Sequence, residues 1–276
     1  MPKKSIPNKT NTTTTNTIAI IGGGNLGQSI AYGLLLSKVY QPQHITVTRR
    51  TITALAQLQA QGVQVSTDNA IAVAQAHTII LCVKPYQIAQ VLQQIKKKIK
   101  PHHVIISVVT GVSLPELQSM IGNTCAIFRA MPNTAIAVQQ SMTCISHSNG
   151  TAVQVDAVLH LFNSMGKTAL IEDALMDAAT VLGACGTAFA LRYIRANIQG
   201  GIEIGFSSAT ASLIAAQTVL GAAELLLQKN THPEAEIDKV TTPKGCTIAG
   251  LNEMEHQGFS SSLIKGVLTS YHKIVK

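Results

Sequence analysis

Acidic residues are scarce in this chain: 13 Asp and Glu stand against 21 Lys and Arg, for a formal net charge of +8. The deficit is local. Residues 17–150 carry nine Lys and Arg against only Asp68 and Glu116, whereas residues 151–276 carry nine against eleven. A basic N-terminal half suits a polyanionic ligand. Aromatics are also few, 4% of residues and not interleaved with the cations, which argues against the stacking surface of a nucleic-acid binder. The one cationic cluster, Lys96, Lys97, Lys98 and Lys100, closes a helical pattern before Pro101, where cations favour the helix dipole in any case. No nucleic-acid partner is therefore expected. The five cysteines (82, 125, 144, 185 and 246) form no C-x-x-C pair. That spacing fits reduced thiols in the cytoplasm, and no metal site, better than a disulfide framework or a zinc site. No run approaches 18 apolar residues, so no membrane-spanning helix is expected. Residues 1–16 are Thr- and Asn-rich, lack the apolar stretch of a secretory signal and the Arg of a transit peptide, and read as a disordered tail.

What remains is a 276-residue chain, 46% hydrophobic and 12% charged, able to bury one large core or two modest ones. It has two textures. Short β-branched runs at Thr17–Ile21, His44–Thr48, Val63–Val65, Thr78–Val83, Val104–Val108 and Cys125–Arg129, then Met142–Ser146 and Thr168–Ile171, read as strands. Helical patterns such as Leu26–Leu36, Thr53–Ala60 and Tyr86–Lys97 separate them. Beyond residue 173 the strand signal ends, and Ala-, Leu- and Ile-rich helices are expected near 174–200, 208–228, 233–239, 248–256 and 260–274. Thr231, ahead of Pro233 and Glu234, reads as a helix cap. The expected fold is α/β: a Rossmann-type, doubly wound sheet over residues 17–170, then an all-α domain over 171–276.

Four local patterns carry chemistry. Gly22, Gly24 and Gly27 have G-x-G-x-x-G spacing directly after an apolar strand, with Asn25 and Leu26 at the head of the following helix. This is the pyrophosphate cradle of a dinucleotide site. The second strand ends in Thr48-Arg49-Arg50-Thr51, where an NAD site would show an acid; two guanidiniums suit the 2′-phosphate of NADP. A third pattern, Val83-Lys84-Pro85, ends a strand where an open α/β sheet presents its ligands. The fourth, Val240–Leu251, is a kinked polar loop with Pro243 and Gly245 that opens an apolar helix, a junction that favours anions.

In their order and spacing these segments resemble the pyrroline-5-carboxylate reductase family. V-T-T-P-K-G-C-T is similar to that family's V-[ST]-S-P-G-G-[AT]-T, with Lys244 and Cys246 as departures. Phe128–Thr134 resembles its R-x-M-P-N-T box, and Leu182–Phe189 more loosely its S-G-S-G-P-A-Y segment, where a plain helix-packing seam explains the small residues nearly as well. The resemblance implies reduction of the C=N bond of 1-pyrroline-5-carboxylate to L-proline, with NADPH preferred and NADH possible. It places Asn69, Val83, Lys84, Pro85, Met131, Pro132 and Asn133 on the cofactor, with a helix cap the plain alternative for Asn69 and an interdomain anchor for Arg129. It places Thr242, Gly245 and Cys246 on the substrate carboxylate and gives Thr247 the catalytic hydrogen bond to the ring nitrogen. Lys244 adds a cation there if its side chain turns inward, and is neutral if it faces solvent. The resemblance also implies a homodimer or a larger ring of dimers. Two other readings compete. A β-hydroxyacid dehydrogenase would need a Lys on the long helix, and residues 174–200 contain only Arg192 and Arg195. A non-catalytic NADPH-binding regulator would have no reason for Thr242–Thr247.

Overall fold

In the computed structural model, residues 17–275 are described; the tail expected at 1–16 lies outside them. The strands are β1 (Ile18–Ile21), β2 (Ile45–Thr48), β3 (Gln64–Ser66), β4 (Thr78–Leu81), β5 (Val104–Ser107), β6 (Ala126–Met131), β7 (Ser141–Ser148) and β8 (Gly166–Leu170). They form one sheet in the order β3-β2-β1-β4-β5-β6-β7-β8. All neighbours are parallel except β6 and β7, which pair antiparallel through Ala130↔Ile145. The order reverses between β1 and β4, and the crevice beyond the strand ends at such a reversal is where open α/β sheets bind ligands.

Strand alternation builds two cores, because successive side chains point to opposite faces. Ile18, Ile20, Ile80, Ile106 and Phe128 pack on one face. Covering them are α1 (Asn25–Ser37) and α6 (Ala152–Asn163), which contribute Ile30, Leu34 and Phe162. Ala19, Ile21, Ile79 and Ile105 point the other way, under α3 (Asn69–Gln75), α4 (Ile88–Ile95) and α5 (Leu114–Ile121). The short α2 (Ala56–Ala60) places the buried Leu58 beneath β2 and β3.

The chain divides into two compact units, one ending at Gly183 and the other beginning at Ala184. This break lies beyond the expected 170/171 boundary because the segment after β8 still packs into the first unit. There α7 (Met176–Ala179) buries Met176, and Asp173 and Asp177 face Arg129. The expected helix at 174–200 is also not uniform: a π-helix spans Thr180–Cys185 before α8 (Gly186–Glu203) begins. Single-turn π segments mark functional positions in many helices.

The remaining helices are α9 (Ser208–Lys229), α10 (Pro233–Lys239), α11 (Cys246–His256) and α12 (Phe259–Ile274). The Asn230 left-handed cap ends α9, and Gly258, also left-handed, separates α11 from α12. The cap of α10 is His232, whose Nδ1 accepts from the Glu234 N–H, and not Thr231; the Thr231 hydroxyl instead donates to Glu236. Within this unit Gly201 sits so close to Ala211 that an added Cβ would lie 3.1 Å from its methyl. Only Ala211 and Ala215 are buried among its described residues, while Leu213, Leu220, Leu227 and Ile264 are exposed. The stretches Asp173–Glu203 and Ser208–Lys229 are long and apolar enough to cross a bilayer by length and composition. Gly, Ser and Thr interrupt both stretches, so neither holds a run of 18 apolar residues, and a buried helix of a soluble protein passes the same test.

Candidate active site

Beyond the ends of β1, β2 and β4 lies a cavity of about 810 Å³. Gly22, Gly24, Asn25 and Leu26 line it, as do Arg49, Arg50, Asn69, Val83, Lys84 and Pro85. Elements far apart in sequence thus converge as the local patterns require. The glycines divide their work. Gly22 has φ +111°, and a Cβ there would lie 2.2 Å from the Cys82 carbonyl oxygen. A Cβ on buried Gly27 would meet the Gly22 carbonyl at 2.1 Å, so Gly27 serves by letting helix and loop touch rather than by lining the cavity. Gly24 faces open space and is itself the cap of α1, which no side chain satisfies; Asn25 is the first helical residue and not the cap. Unsatisfied first-turn N–H groups at a cavity wall are a cradle for phosphate, so the residues present fit a pyrophosphate.

The two arginines differ. Arg49 Nη1 donates to the Gly23 carbonyl at 2.8 Å and braces the loop, while Arg50 is exposed. Among the described residues neither is paired with a carboxylate. Two unneutralised guanidiniums at the end of β2 fit a 2′-phosphate. Cys82 also lines the cavity; burial pushes its thiol up to about 12, with Lys84 pulling only partly the other way, so it stays protonated.

Asn69 is not the cap of α3. Asp68 takes that role by accepting from the Ala70 and Ile71 N–H groups, which leaves Asn69 free to bond across the cavity wall. Met131 and Pro132 are buried and, with Asn133, do not line the cavity, whereas the next residue, Thr134, does. The cause is β6, which runs to Met131 in register with Cys144 and draws this box into the sheet. Asn133 accepts from the Ala135 N–H and donates to the Gly183 carbonyl, holding the turn that follows. Arg129 is likewise away from the cavity, between Asp173 and Asp177. Several lining residues escaped the sequence reading: Thr110, Gln87, and Gln90 and Gln94 of α4. Polar residues on a helix face read as ordinary surface.

The loop ahead of α11 is a tight turn. The Gly245 N–H donates to the Thr242 carbonyl at 2.9 Å, Pro243 sits second, and Lys244 third at φ +59°. That third position favours glycine, so Lys244 holds a conformation its side chain disfavours. Gly245 is crowded: a Cβ there would lie 2.5 Å from Thr242 Oγ1 and 3.0 Å from the Thr242 carbonyl oxygen. Its N–H is engaged within the turn, which removes it from the expected set of carboxylate donors. The N–H groups of Cys246 and Thr247 remain at a helix start with no side-chain cap and no acid in its first turn. Thr242, Lys244 and Cys246 are exposed, and Thr247 is half-buried.

Fold and site together define an NADP-dependent oxidoreductase with a Rossmann-type N-terminal domain and a helical C-terminal domain. Residues 17–111 match the family model described as NADP oxidoreductase, coenzyme F420-dependent, and residues 173–276 match that of pyrroline-5-carboxylate reductase dimerisation. The chain is 43% identical over 275 residues to pyrroline-5-carboxylate reductase 2 of Dictyostelium discoideum, covering 94% of this chain and 92% of that one. It is 46% identical over 270 residues to reductase 1 of the same organism, again over 94% of its own length but only 49% of the relative's. A solved Plasmodium falciparum pyrroline carboxylate reductase with NADP bound shares the fold at a TM-score of 0.86 and 23% identity, over 94% of this chain and 97% of that one. The chain belongs to the pyrroline-5-carboxylate reductase family, and its C-terminal unit is a dimerisation domain.

Proposed function

We infer that this protein reduces the C=N bond of 1-pyrroline-5-carboxylate with NADPH to give L-proline, the last step of proline biosynthesis. The 43% identity to a reductase matched over nearly its whole length carries this reading. The bound nicotinamide supplies the hydride. The chain's own residues bind and orient. The α1 N-terminus and Arg50 hold the cofactor's phosphates, with Arg49 stiffening the loop between them. The N–H groups of Cys246 and Thr247, with the Thr242 hydroxyl, suit the substrate carboxylate. The Thr247 hydroxyl hydrogen-bonds the ring nitrogen as it passes from imine to amine, which makes it a positioning donor and acceptor rather than a strong acid. Val83, Lys84 and Pro85 line the cofactor cavity.

The exposed apolar side chains of α9 and α12 support burial against a second copy of the chain, and dimers closing into a ring. That partner, rather than lipid, covers the two long apolar helices. Five free cysteines fit the cytoplasm. The test is NADPH oxidation by the purified chain, assayed with 1-pyrroline-5-carboxylate and, separately, with short hydroxy and keto acids. Turnover confined to the imine is expected; turnover confined to the acids would establish the dehydrogenase reading instead, and none with either would favour a regulator.

A further inference from the structure

The edge of the sheet opposite the cofactor cavity carries a cationic loop that the activity described above does not use. Ile18, Thr78 and Val104 stand in register at the starts of β1, β4 and β5, so the residues before them, Thr17, His77 and His103, lie side by side at that edge. The loop between α4 and β5 crosses it. Lys96, Lys97, Lys98 and Lys100 of this loop are all exposed. The loop is fixed at its end: the Lys100 carbonyl accepts from the His103 N–H at 3.0 Å, and His103 Nδ1 accepts from the Lys100 N–H at 3.1 Å. His103 is buried, and the exposed ring of His102 lies 4.4 Å from it. Among the described residues, none of the four lysine side chains has a hydrogen bond or an ion pair. The helix dipole accounts for little of this charge. A helix end carries about half a charge, felt within its last turn, and α4 ends at Ile95 with no cation in that turn. Acids are absent here too. Asp68 and Glu116, the only two in residues 17–150, stand at the starts of α3 and α5, away from the helix ends that lead back to this edge. Asp156 lies on α6, over the other face of the sheet, and Glu172, Asp173 and Asp177 follow β8 at its outer end.

We propose that this loop is a second anion site, remote from the cofactor cavity, and that it takes a linear chain of phosphates without bases. Unpaired, like-charged side chains held close together repel one another, and a polyanion relieves that repulsion. The shape of the loop selects among polyanions. Lys96–Lys98 form a 3-10 turn, three residues to the turn, so their ammonium groups fan out about 120° apart. A flexible chain can wrap such a fan, whereas a flat bilayer meets only part of it. No large apolar side chain of residues 87–137 is exposed to enter a membrane. Residues 87–127 hold no Phe, Tyr or Trp on which a nucleic-acid base could stack. Lysine is a compact point charge and needs no planar fork in its partner, which suits phosphate oxygens along a rotating chain. The site is independent of the NADP reading.

Calorimetric titration of the full chain with inorganic polyphosphate, in excess NADP so that the cofactor cavity is filled, tests it without turnover. Binding is expected, and its affinity should fall about 10–100-fold between about 50 and 200 mM salt, as the release of counterions by four cations requires. The triple variant Lys96→Gln, Lys97→Gln, Lys98→Gln should bind about 10-fold or more weakly at low salt, with a visibly shallower salt dependence. The matching triple replacement by Arg should keep both. All three lysines are exposed, so the melting temperature and the KM for NADPH should stay unchanged in the glutamine variant, which separates this site from folding and from the cavity. Absence of binding in excess NADP, or equal affinity and salt dependence in the glutamine variant, would overturn the proposal while leaving the reductase reading intact. Tighter binding of duplex DNA or of anionic lipid vesicles than of polyphosphate would overturn it as well, by assigning the loop to that partner.

Discussion

Arg129 Nη1 lies 2.8 Å from Asp173 Oδ1, and the guanidinium is only 4% exposed. The same carboxylate accepts from the Ser146 hydroxyl at 2.8 Å and the Leu114 N–H at 3.2 Å, so one side chain ties β6, β7 and the start of α5 to the segment leading into α7. Arg129 also lies 3.6 Å from Asp177, too far to replace the lost bond. Asp173→Ala leaves a buried guanidinium undercompensated and should cost about 3 kcal/mol, read from denaturant midpoints. Burial alone would raise the Asp173 pKa, but the bonds from Ser146, Arg129 and Leu114 outweigh it and hold the carboxyl below its ordinary value. The stability it contributes is therefore present above the ordinary aspartate range and lost as pH falls through the lower folded value. Asp173→Ala should flatten the acid limb of the stability profile.

His103 governs a different pH window. It is 1% exposed, its Nδ1 accepts from the Lys100 N–H at 3.1 Å, and it lies beside His102, with His77 next in the row. Burial, followed by the charges of His102, His77 and Lys100, lowers its pKa from 6.5 to about 4. The unfolded chain then takes up a proton that the folded one refuses. Stability should fall as pH drops from about 6.5 toward 4, and His103→Gln should reduce that slope in chemical denaturation across the range. An unaltered slope would assign the acid sensitivity elsewhere.

Arg49 and Arg50 should separate kinetically. Arg50 is exposed and free to meet a 2′-phosphate, whereas Arg49 is fastened to Gly23. Arg50→Ser should raise KM for NADPH about 10-fold or more and leave KM for NADH nearly unchanged, as expected for one charge-assisted contact. Arg49→Ser should raise both, because it also loosens the glycine loop. The comparison requires initial rates with each cofactor at saturating imine.

Thr247→Ala removes a hydroxyl at the start of α11 without disturbing the Thr242–Gly245 turn. A loss of about 10–10³ in kcat/KM for the imine is expected, with KM for NADPH unchanged. Kinetics equal to those of the unsubstituted chain would take Thr247 out of the site.

Much of this molecule was legible in local sequence. The strand positions followed from short β-branched runs and the helix positions from period-3.6 hydrophobicity. The cradle followed from three glycines, two of which no other residue could replace: Gly22 and Gly27 each approach backbone too closely for a Cβ. The hydrogen bond from Asn69 to Gln94 was not legible, because it joins residues 25 positions apart. Nor was the inward turn of Met131 and Pro132, which follows from the pairing of β6 with β7.

The sequence by itself determined the elements, the phosphate loop, the basic turn and the anion-friendly start of α11, since each is specified by backbone requirements within a few consecutive residues. The tertiary structure decided which atoms remain available. It bound Arg49 to a carbonyl 26 residues away and left Arg50 free, and it joined Arg129 to Asp173 across 44 residues, carrying the end of the first unit to Gly183. Propensity and spacing record what a segment needs from itself, whereas burial and hydrogen-bond partners are set by whichever distant segment the fold packs against it.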